Sequence, residues 1–589
     1  MASILDQFER VLSFRIIGPV PTNIIYRSKH MKNRLAFVFV SVMLVLLANA
    51  NPLRAQPFDA DRARDHYPKN PDIDILNYAF ELQLSDDSQT IDGTATIDAR
   101  FLKAGQTAIR LDLVKKSDAL EGKGMSVDWV QMDGRDLTFR HEDDQLFIEL
   151  GREIDENESI KVRLRYSGIP ASGLVIGPNK YGTYSFFSDN WSSRARNWLP
   201  TVDHPYDKAT SEFIVTAPAR LQVVSNGLLV EETDLAGGDR RTHWKNSVPI
   251  ATWLFALAAA EFAVQYVDTF DGKSIQTWVY RQDRDAGFYD FAIPTKQTLA
   301  FFSDLVGPYS YEKLANIQSN SVGGGMEAAS SIFYSDGSVT GKRDRRWQHV
   351  IIHELAHQWF GNAVTEYEWN DVWLSEGFAT FYTLLFREYA YGRDDFIEGL
   401  KDARNRVFDY YETDYDFRVI RDHLEDLNRV SGPMIYQKGA WTLNMLRELL
   451  GREAYNRGVR TYYKEFRDGN AVTSDFRRHL EEASGMDLGE FFRQWLYQGG
   501  VPYLEGAWAV NNGELVIEIE QTQEKYDFEL SVDFEVRFAD GSSERISLGV
   551  NAGQVARRVR SVDQEILDVI IDPDTRVLAR WTFGRGEDE

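Results

Sequence analysis

Hydrophobic and polar residues alternate in two stretches of the chain, residues 76–84 and 91–101. This period is typical of strands that bury one face. Farther along, Asn226-Gly227 separates two short apolar runs, and this dipeptide predicts a β-hairpin. We therefore predict a β-rich N-terminal domain over residues 57–264.

The pattern becomes helical after about residue 265. Residues 345–361, 371–389 and 437–450 have helical character, and Gly451 is a plausible stop for the last of them. We predict an α-rich domain over residues 265–500, with a small strand region early in it.

Alternation returns in the last ninety or so residues. Residues 532–538 have the period of a strand, and an Asn-Gly pair at 512–513 and an Asp-Gly pair at 540–541 predict turns. About seven short strands indicate a small β-sandwich over residues 501–589. The fold class predicted for the whole chain is α+β and multidomain.

Composition narrows the partners and the chemistry. The 589-residue chain has 90 acidic and 66 basic residues, and its net charge of -24 argues against nucleic acid or anionic membrane surfaces as partners. It has no cysteine, so disulfides, thiolate metal sites and cysteine nucleophiles are excluded. Any metal ion must be bound by His, Asp or Glu.

The beginning of the chain has the pattern of a signal peptide. A basic segment follows Met31, an apolar segment covers residues 35–47, and small residues at 48–50 offer a cleavage site. We predict a leader and signal peptide over residues 1–56, with Met31 as a possible true start, and an exported, periplasmic or secreted protein. The alternative is a membrane tether by an uncleaved N-terminal segment. However, the apolar segment is short for a span of about twenty residues, so we predict no stable membrane span in the mature chain.

A metal-binding pattern lies in the first of the three helical stretches, residues 345–361. His353 and His357 are four residues apart, so they share one face of a helix, and Glu354 lies beside them. A catalytic zinc site has three protein ligands and one open position. Glu376, which follows His357 after eighteen intervening residues, is the candidate third ligand. We therefore predict one Zn²⁺ bound by His353, His357 and Glu376.

Two other interpretations of this pattern were considered. A histidine six residues after His357 would be the alternative third ligand, but Ala363 occupies that position. His349 lies on the same helical face, yet three ligands on one straight helix cannot surround an ion tetrahedrally. We expect His349 to be a supporting or surface residue. Two histidines on a helix can also be ordinary polar residues, and Glu376 argues against that interpretation here.

Several motifs surround the metal-binding pattern. In chain order they begin with Arg196-Asn197-Trp198-Leu199-Pro200 and end with Tyr436-Gln437-Lys438-Gly439-Ala440. Between these lie Gly324-Gly325-Met326-Glu327, the ten residues that start at His353, and Trp373-Leu374-Ser375-Glu376-Gly377. Together these motifs resemble the M1 family of zinc aminopeptidases, and the resemblance covers about residues 190–440. It implies a saddle-like β-domain, a thermolysin-like catalytic domain and a C-terminal β-sandwich.

The resemblance also implies site roles and a substrate class. Peptides would be cleaved by a zinc-activated water, with Glu354 as general base and Tyr436 stabilising the oxyanion. Glu327 would bind the free α-amine of the substrate. Gly324, Gly325 and Met326 belong to the same motif, and the two glycines would let the substrate backbone approach closely.

The chain departs from the family pattern at two positions. Ala328 stands where the family has an asparagine, and Trp191 stands where the family has a second amine anchor. An indole cannot accept a hydrogen bond from an ammonium group. Asp189 or Asn190 could substitute for that anchor.

Two alternative functions were weighed. A thermolysin-type endopeptidase shares the two histidines and the glutamate. Glu327 argues against it, while Ala328 and Trp191 favour it. A catalytically silent peptide-binding homologue is the other alternative, and the intact Glu354 and Tyr436 argue against it. Asp371 is a candidate partner of the metal ligands.

Overall fold

The computed structural model describes residues 65–421, 424 and 432–586. The predicted leader and signal peptide lie outside this part of the chain. Within it, no helix is long and apolar enough to cross a membrane. From Ala63 onward the chain belongs to one compact unit, so the domain boundaries at 264 and 500 remain predictions.

The N-terminal region is built from strands, as predicted. An eight-stranded sheet has the order β13-β14-β11-β1-β2-β8-β4-β5, and smaller sheets have the orders β12-β15-β10-β9 and β3-β7-β6. The strands are β1 Ile73–Gln83, β2 Ile91–Phe101, β3 Gln106–Asp112, β4 Gly124–Met132, β5 Arg135–Asp136, β6 Phe139–Glu142, β7 Gln145–Ile154, β8 Ser159–Ile169, β9 Leu174–Pro178, β10 Tyr184–Ser188, β11 Lys208–Pro218, β12 Gln222–Ser225, β13 Leu228–Asp234, β14 Asp239–Ala251 and β15 Leu257–Ala260.

The two alternating stretches form neighbouring strands of the large sheet. β1 and β2 pair antiparallel, and β2 has the predicted bounds. The alternation in β1 is interrupted because the register shifts between Ile75 and Asn77. As a result Ile75 and Tyr78 are buried while Leu76, between them, is only half-buried.

The predicted hairpin at Asn226-Gly227 is wrong. The flanking strands β12 and β13 do not pair with each other: β12 pairs with β15, and β13 pairs with β14. The side chain of Asn226 explains the divergence, because its amide donates to the carbonyls of Leu254 and Ala329 while its oxygen accepts from Ala256 N. These bonds fix the turn against two other segments, and the chain passes from one sheet into another.

The middle region combines a mixed sheet with helices. The five-stranded sheet has the order β16-β17-β18-β20-β19, and two short strands form a parallel pair, β21-β22. The strands are β16 Phe262–Phe270, β17 Lys273–Tyr280, β18 Lys313–Ser319, β19 Gly325–Met326, β20 Ser331–Ser335, β21 Val364–Glu366 and β22 Gly469–Ala471. The helices are α1 Arg284–Leu305, α2 Arg345–His357, α3 Trp373–Tyr391, α4 Arg393–Tyr411, α5 Gly439–Leu450, α6 Arg452–Phe466, α7 Thr473–Ser484 and α8 Gly489–Leu496, and a π-helix covers Met434–Lys438.

The predicted helical stretches correspond to α2, α3 and the π-helix with α5. Gly451, the predicted stop, follows α5 with a φ of 76°, a conformation that favours glycine. A short 3₁₀ turn at Trp369–Asp371 precedes α3. This turn lets the chain reverse after α2, so that α3 returns to pack beside it.

The C-terminal region has the predicted seven strands in two sheets, β27-β24-β23-β29 and β26-β25-β28. They are β23 Tyr503–Asn511, β24 Glu514–Gln521, β25 Glu529–Phe538, β26 Ser543–Asn551, β27 Ala556–Ser561, β28 Ile566–Ile571 and β29 Arg580–Arg585. The turns at 512–513 and 540–541 each join an antiparallel pair. This region has its own apolar core, whereas one continuous core joins the N-terminal strands to the helices.

A half-buried lysine also joins the N-terminal strands to the helical region. The ammonium of Lys208 on β11 donates to the carbonyls of Asn362, Ala363 and Gly469. Burial lowers the pKa of Lys208 to about 7. The segment that follows α2 is thereby tied to the large N-terminal sheet.

Candidate metal and peptide-binding site

His353, His357 and Glu376 converge on one point between α2 and α3. The two Nε2 atoms are 3.1 Å apart, and Glu376 Oε2 lies 3.3 Å from His353 Nε2 and 3.2 Å from His357 Nε2. In a tetrahedral zinc site with bonds of about 2.0–2.1 Å, ligand atoms are separated by about 3.3–3.4 Å. The three predicted ligand atoms therefore already have the spacing of one face of such a tetrahedron.

Helix α2 holds the two imidazoles one turn apart. Asp344 caps its first turn by accepting a hydrogen bond from Arg346 N. Helix α3 supplies Glu376 from its own first turn, and its buried face packs against α2. Because both helices are anchored in the core, the ligand spacing is a property of the fold.

The ring of His357 is oriented by contacts to its Nδ1 atom. Its Nδ1 lies 3.2 Å from the carbonyl oxygen of Phe360 and 3.0 Å from Ser375 Oγ. A proton on Nδ1 directed at that carbonyl leaves Nε2 free to bind a metal. Gly361 makes this packing possible, since its φ is 105° and a Cβ there would lie 2.1 Å from Ser375 Oγ.

The buried carboxylates around the candidate metal ligands favour a bound cation. Glu327, Glu354 and Glu376 are all buried near His357. Burial alone would lower the pKa of His357, but Glu327 and Glu376 outweigh it and raise the value to about 10. Burial likewise opposes ionisation of Glu376, yet the two imidazoles lower its pKa to about 2. Buried carboxylates of this kind are stabilised by a bound positive ion, so the residues fit zinc.

A second combination of side chains could also hold a metal ion. Glu327, Glu354 and His357 offer ligand atoms that all lie within 4.8 Å of one another. This set shares His357 with the first one and draws on a single histidine. The more compact His353, His357 and Glu376 set matches the zinc preference for closely spaced nitrogen and oxygen ligands.

Glu354 is buried beside the ligands and packs against the Gly325 backbone. A Cβ on Gly325 would lie 2.3 Å from Glu354 Oε1, so only glycine fits at this position. Burial raises the pKa of Glu354 well above its usual value, and the neighbouring Glu327 raises it further. Gly325 therefore makes room for the Glu354 carboxylate, a role that the sequence did not indicate.

Glu327 is held by its backbone, while one oxygen of its buried carboxylate lacks a hydrogen-bond donor among the described residues. Its carbonyl accepts hydrogen bonds from Gln358 Nε2 at 3.0 Å and from Asn362 Nδ2 at 2.6 Å. Its Oε1 lies 3.8 Å from His357 Nδ1 and has no hydrogen-bond donor among the described residues. Burial raises the pKa of Glu327 to about 7.

Gln358 and Asn362, whose side-chain amides donate to the Glu327 carbonyl, were not predicted from the sequence as site residues. Gln358 also accepts a hydrogen bond from Ser330 N, so it fixes both sides of buried Ala328. The signal was present, because Gln358 and Asn362 are polar residues within an apolar segment directly after the metal helix. They hold the loop around Ala328, the position at which the family has an asparagine.

Tyr436 lies on the π-helix and reaches the ligand group. Its hydroxyl donates to Glu376 Oε1 at 2.6 Å, and its ring stacks on His353 with centroids 6.0 Å apart. Burial raises the pKa of Tyr436 well above its usual value, and Glu376 raises it further. The phenol therefore stays protonated at neutral pH and is a hydrogen-bond donor.

One cleft of about 580 Å³ brings these residues together. The predicted site residues that line it are Gly324, Gly325, Glu327, His353, Glu354, His357, Glu376 and Tyr436. Met326 is buried and does not line it. His349 lines the cleft farther along α2 and is outside both potential ligand sets.

The residues near position 191 have other contacts. Trp191 packs edge-on against Trp253 and Trp369, with centroids 4.9 and 5.2 Å away. Asn190 donates to the carbonyl of Phe255 and accepts from Trp198, so both ends of its amide are engaged.

Asp189 and Asp371 are also bound to partners. Asp189 forms an ion pair of 2.7 Å with Arg194, and its charge contributes to the raised pKa of Glu327. Of the two residues predicted to substitute for the second amine anchor, Asp189 is the one whose charge acts on Glu327. Asp371 accepts a hydrogen bond from Thr473 at 2.6 Å, which places it in the support of the turn before α3.

Comparison with known proteins identifies two family-model matches in the chain. The model described as Peptidase M1 N-terminal domain matches residues 75–254, and that described as Peptidase family M1 domain matches residues 291–495. The chain belongs to peptidase family M1. Both matched segments contain landmarks of the site, including both histidines, Glu376 and Tyr436 in the second.

Several relatives of this M1 chain are aminopeptidases by name. It is 30% identical over 336 residues to glutamyl aminopeptidase of Sus scrofa, covering 54% of this chain and 35% of that protein. It is 26% identical to probable aminopeptidase 2 of Sulfurisphaera tokodaii, covering 68% and 52%. The chain thus spans about a third to a half of the length of the curated relatives it matches.

A solved structure shares the fold. The M1 zinc metallopeptidase from Deinococcus radiodurans is 23% identical and has a TM-score of 0.61, covering 72% of this chain and 93% of that one. The β-rich N-terminal region and the helical region are therefore arranged as in an M1 peptidase fold.

Proposed function

We propose that this M1 chain is a zinc aminopeptidase that releases the N-terminal residue of peptides. The observation that carries the proposal is that one cleft contains a triangle of zinc-type ligand atoms, a buried carboxylate at Glu354, and a buried carboxylate at Glu327 whose Oε1 has no hydrogen-bond donor among the described residues. A zinc ion held by His353, His357 and Glu376 would supply Lewis acidity and make a water molecule more acidic.

The side chains of the chain perform the proton transfers and the orientation. Glu354 takes a proton from water as the water oxygen adds to the scissile carbonyl carbon. The C–N bond then breaks as Glu354 gives this proton to the leaving nitrogen. Tyr436 donates a hydrogen bond to the carbonyl oxygen while that oxygen gains negative charge.

Glu327 selects the end of the peptide. Its carboxylate, positioned through two bonds to its carbonyl, accepts hydrogen bonds from the α-ammonium group of the substrate. The ammonium group donates a hydrogen bond to Glu327 Oε1, which has no donor among the described residues. A substrate bound in this way has only one residue between its ammonium group and the metal ligands, so the first peptide bond is the one cleaved.

The test compares peptides with free and acetylated N-termini, each with and without a zinc chelator. We expect chelator-sensitive cleavage of free peptides only. Glu327→Ala should lower kcat/KM for free peptides by about 100-fold, because a buried charge pair is lost. Glu453→Ala, which removes an exposed carboxylate outside the cleft, is the matched control and should have no effect.

Two results would contradict the proposal. Equal cleavage of acetylated and free peptides would show that Glu327 does not select the amine, as in an endopeptidase. Absence of cleavage of either peptide by zinc-loaded protein would leave a peptide-binding homologue.

A further inference from the structure

The π-helix at residues 434–438 carries two polar side chains that contact different parts of the chain. The hydroxyl of Tyr436 donates to Glu376, whereas the amine of Lys438, which is fully buried, donates to three oxygens from other elements. The amide of Gly439 donates to the carbonyl of Met434, five residues back, and this bond defines the π-turn. Such turns are rare and frequently lie at functional sites.

The three acceptors of Lys438 are uncharged. Its Nζ lies 2.5 Å from the hydroxyl oxygen of Tyr411, 3.3 Å from the carbonyl oxygen of Gly500 and 3.5 Å from that of Gln498. The hydroxyl of Tyr411 itself donates to the carbonyl of Phe417, so its oxygen is free to accept from the lysine. An ammonium group has three donors, and the number of acceptors around Lys438 matches it.

A lysine at this buried position costs stability. Burial lowers the pKa of Lys438 to about 7, because the charged form loses its hydration. An apolar side chain of similar length would fill the same space without this cost, but it could not donate to the three oxygens. The contacts that Lys438 makes, and not its packing, therefore explain its presence.

Two of the acceptors lie in the short connection between α8 and β23, residues 497–502. This connection is itself held in place. The side-chain amide of Gln498 donates to the carbonyl of Asp527, shortly before β25, at 2.9 Å, and the hydroxyl of Tyr415 donates to the carbonyl of Val501 at 3.1 Å. Lys438 thus ties the π-helix to the segment that leads into the C-terminal strands.

The π-helix also touches α3 through the backbone. A Cβ on Gly377, the residue after Glu376, would lie 3.0 Å from Gly439 Cα, and a Cβ on Gly439 would lie 2.9 Å from Gly377 Cα. No flexible side chain separates the two elements at this point. A shift of the π-helix would therefore change the 2.6 Å hydrogen bond between Tyr436 and Glu376 directly.

We propose that Lys438 is a positioning residue, which holds Tyr436 in place for the reaction by anchoring the π-helix to the connection before the C-terminal strands. This step rests on the proposed function, in which Tyr436 donates to the carbonyl oxygen of the substrate. Lys438 does not line the cleft, so it acts on the reaction through Tyr436. A displacement of about 1 Å at a catalytic group is enough to lower the rate by about 100-fold.

The test is a double-variant cycle in the zinc-loaded full chain with Ala-Ala-Ala as substrate. Lys438→Met removes the donors and keeps an unbranched side chain, and we expect kcat to fall by about 30-fold. KM should stay at the wild-type value, because Tyr436 acts in the transition state. In the Tyr436→Phe background, which lacks the hydroxyl, Lys438→Met should lower kcat no further. Lys464→Met, which removes an exposed lysine from α6, is the control and should keep the wild-type kcat.

Three results would overturn the proposal. The first is a wild-type kcat in Lys438→Met, and the second is an equal loss of kcat in both backgrounds, as expected of a residue that only supports the fold. If Lys438→Met does not fold, Tyr411→Phe takes its place, because it removes one acceptor and keeps the ring. We then expect kcat to fall by about threefold, the effect of a weakened hydrogen bond, only where Tyr436 is present. The same fall in the Tyr436→Phe background is the third contradicting result.

Amide hydrogen exchange separates this proposal from the proposed function. In the zinc-loaded chain, the amides of residues 434–439 should exchange about tenfold faster in Lys438→Met than in wild type, while those of α2 keep their rate. Failure of wild type to cleave any peptide contradicts the aminopeptidase function, and faster exchange confined to the π-helix would still support the anchor. Unchanged exchange in that segment overturns the anchor itself.

Discussion

The proposed metal-binding group and the proposed amine-binding residue, Glu327, contact opposite nitrogens of the His357 ring and are held in different ways. In the metal-binding group the side chains have supporting contacts, with Phe360 and Ser375 behind His357 and with Tyr436 on Glu376. Glu327 is held through its carbonyl, and its Oε1 has no donor among the described residues. The proposed metal site is therefore set by side-chain contacts, whereas the proposed amine site is set by the path of the backbone.

The largest effect is expected from replacing Glu354, the proposed general base. Glu354→Gln should lower kcat by about 10³-fold, because a general base contributes on this scale. The bound zinc should remain, since Glu354 is outside the ligand triangle. Steady-state kinetics with metal analysis checks this. Loss of zinc together with activity would mean that the metal sits between Glu327, Glu354 and His357 instead.

A smaller but clear effect is expected from crowding the Glu354 carboxylate. Gly325→Ala would place a Cβ 2.3 Å from Glu354 Oε1, so we expect kcat to fall by about 100-fold, as for other small misplacements of catalytic groups. Gly323→Ala is the control, because its Cβ would meet nothing within 4 Å. Similar kinetics for both variants would show that the close approach of β19 to Glu354 has no catalytic consequence.

Removal of one of the two hydrogen bonds that hold the Glu327 carbonyl should affect amine selection more than hydrolysis. Asn362→Ala removes the 2.6 Å bond to the Glu327 carbonyl. We expect the ratio of kcat/KM for free over acetylated peptides to fall by about tenfold, since one buried hydrogen bond is worth about 1–2 kcal/mol. Zinc content measured on the same sample should stay at the wild-type value. An unchanged ratio would contradict the view that the backbone path sets the amine site.

The smallest effect on turnover is expected behind the metal ligand. Ser375→Ala removes the hydroxyl 3.0 Å from His357 Nδ1 but leaves the Phe360 carbonyl in place. Zinc affinity should fall by about tenfold, the lower end for such supporting contacts. Competition with a chromogenic chelator measures it, and kcat at saturating zinc should change little. Wild-type zinc affinity in this variant would show that Phe360 alone orients the ring.

The sequence predicted the ligand residues because their spacing is local. Two histidines four apart and a glutamate on the next helix are visible without any tertiary information, and the alternating strands are equally local. The hairpin at Asn226 failed because the bonds of its side chain to Leu254 and Ala329 involve segments far away in the chain. The Asn-Gly pair correctly predicted a turn, but it did not show which strands pair with the strands on either side of it.

The support of the amine site was hidden for the same reason. The effect of Ala328 depends on whether other groups hold the loop, and Gln358 and Asn362 do so from the segment after α2. The role of Gly325 depends on its distance to Glu354 across two elements. The structural role of Trp191 likewise depends on its packing against two other tryptophans, Trp253 and Trp369. Spacing along the chain contains none of these contacts.

The most direct test of the account is the position of the metal ion itself. We would collect X-ray diffraction from crystals of the zinc-loaded chain on both sides of the zinc absorption edge and locate the anomalous scatterer. The account predicts one peak, bound by His353 Nε2, His357 Nε2 and Glu376 Oε2, with Glu327 and Glu354 free of direct bonds to the metal. A peak bound by Glu327 or Glu354 would contradict it, because neither carboxylate would then be available for the amine or for the proton.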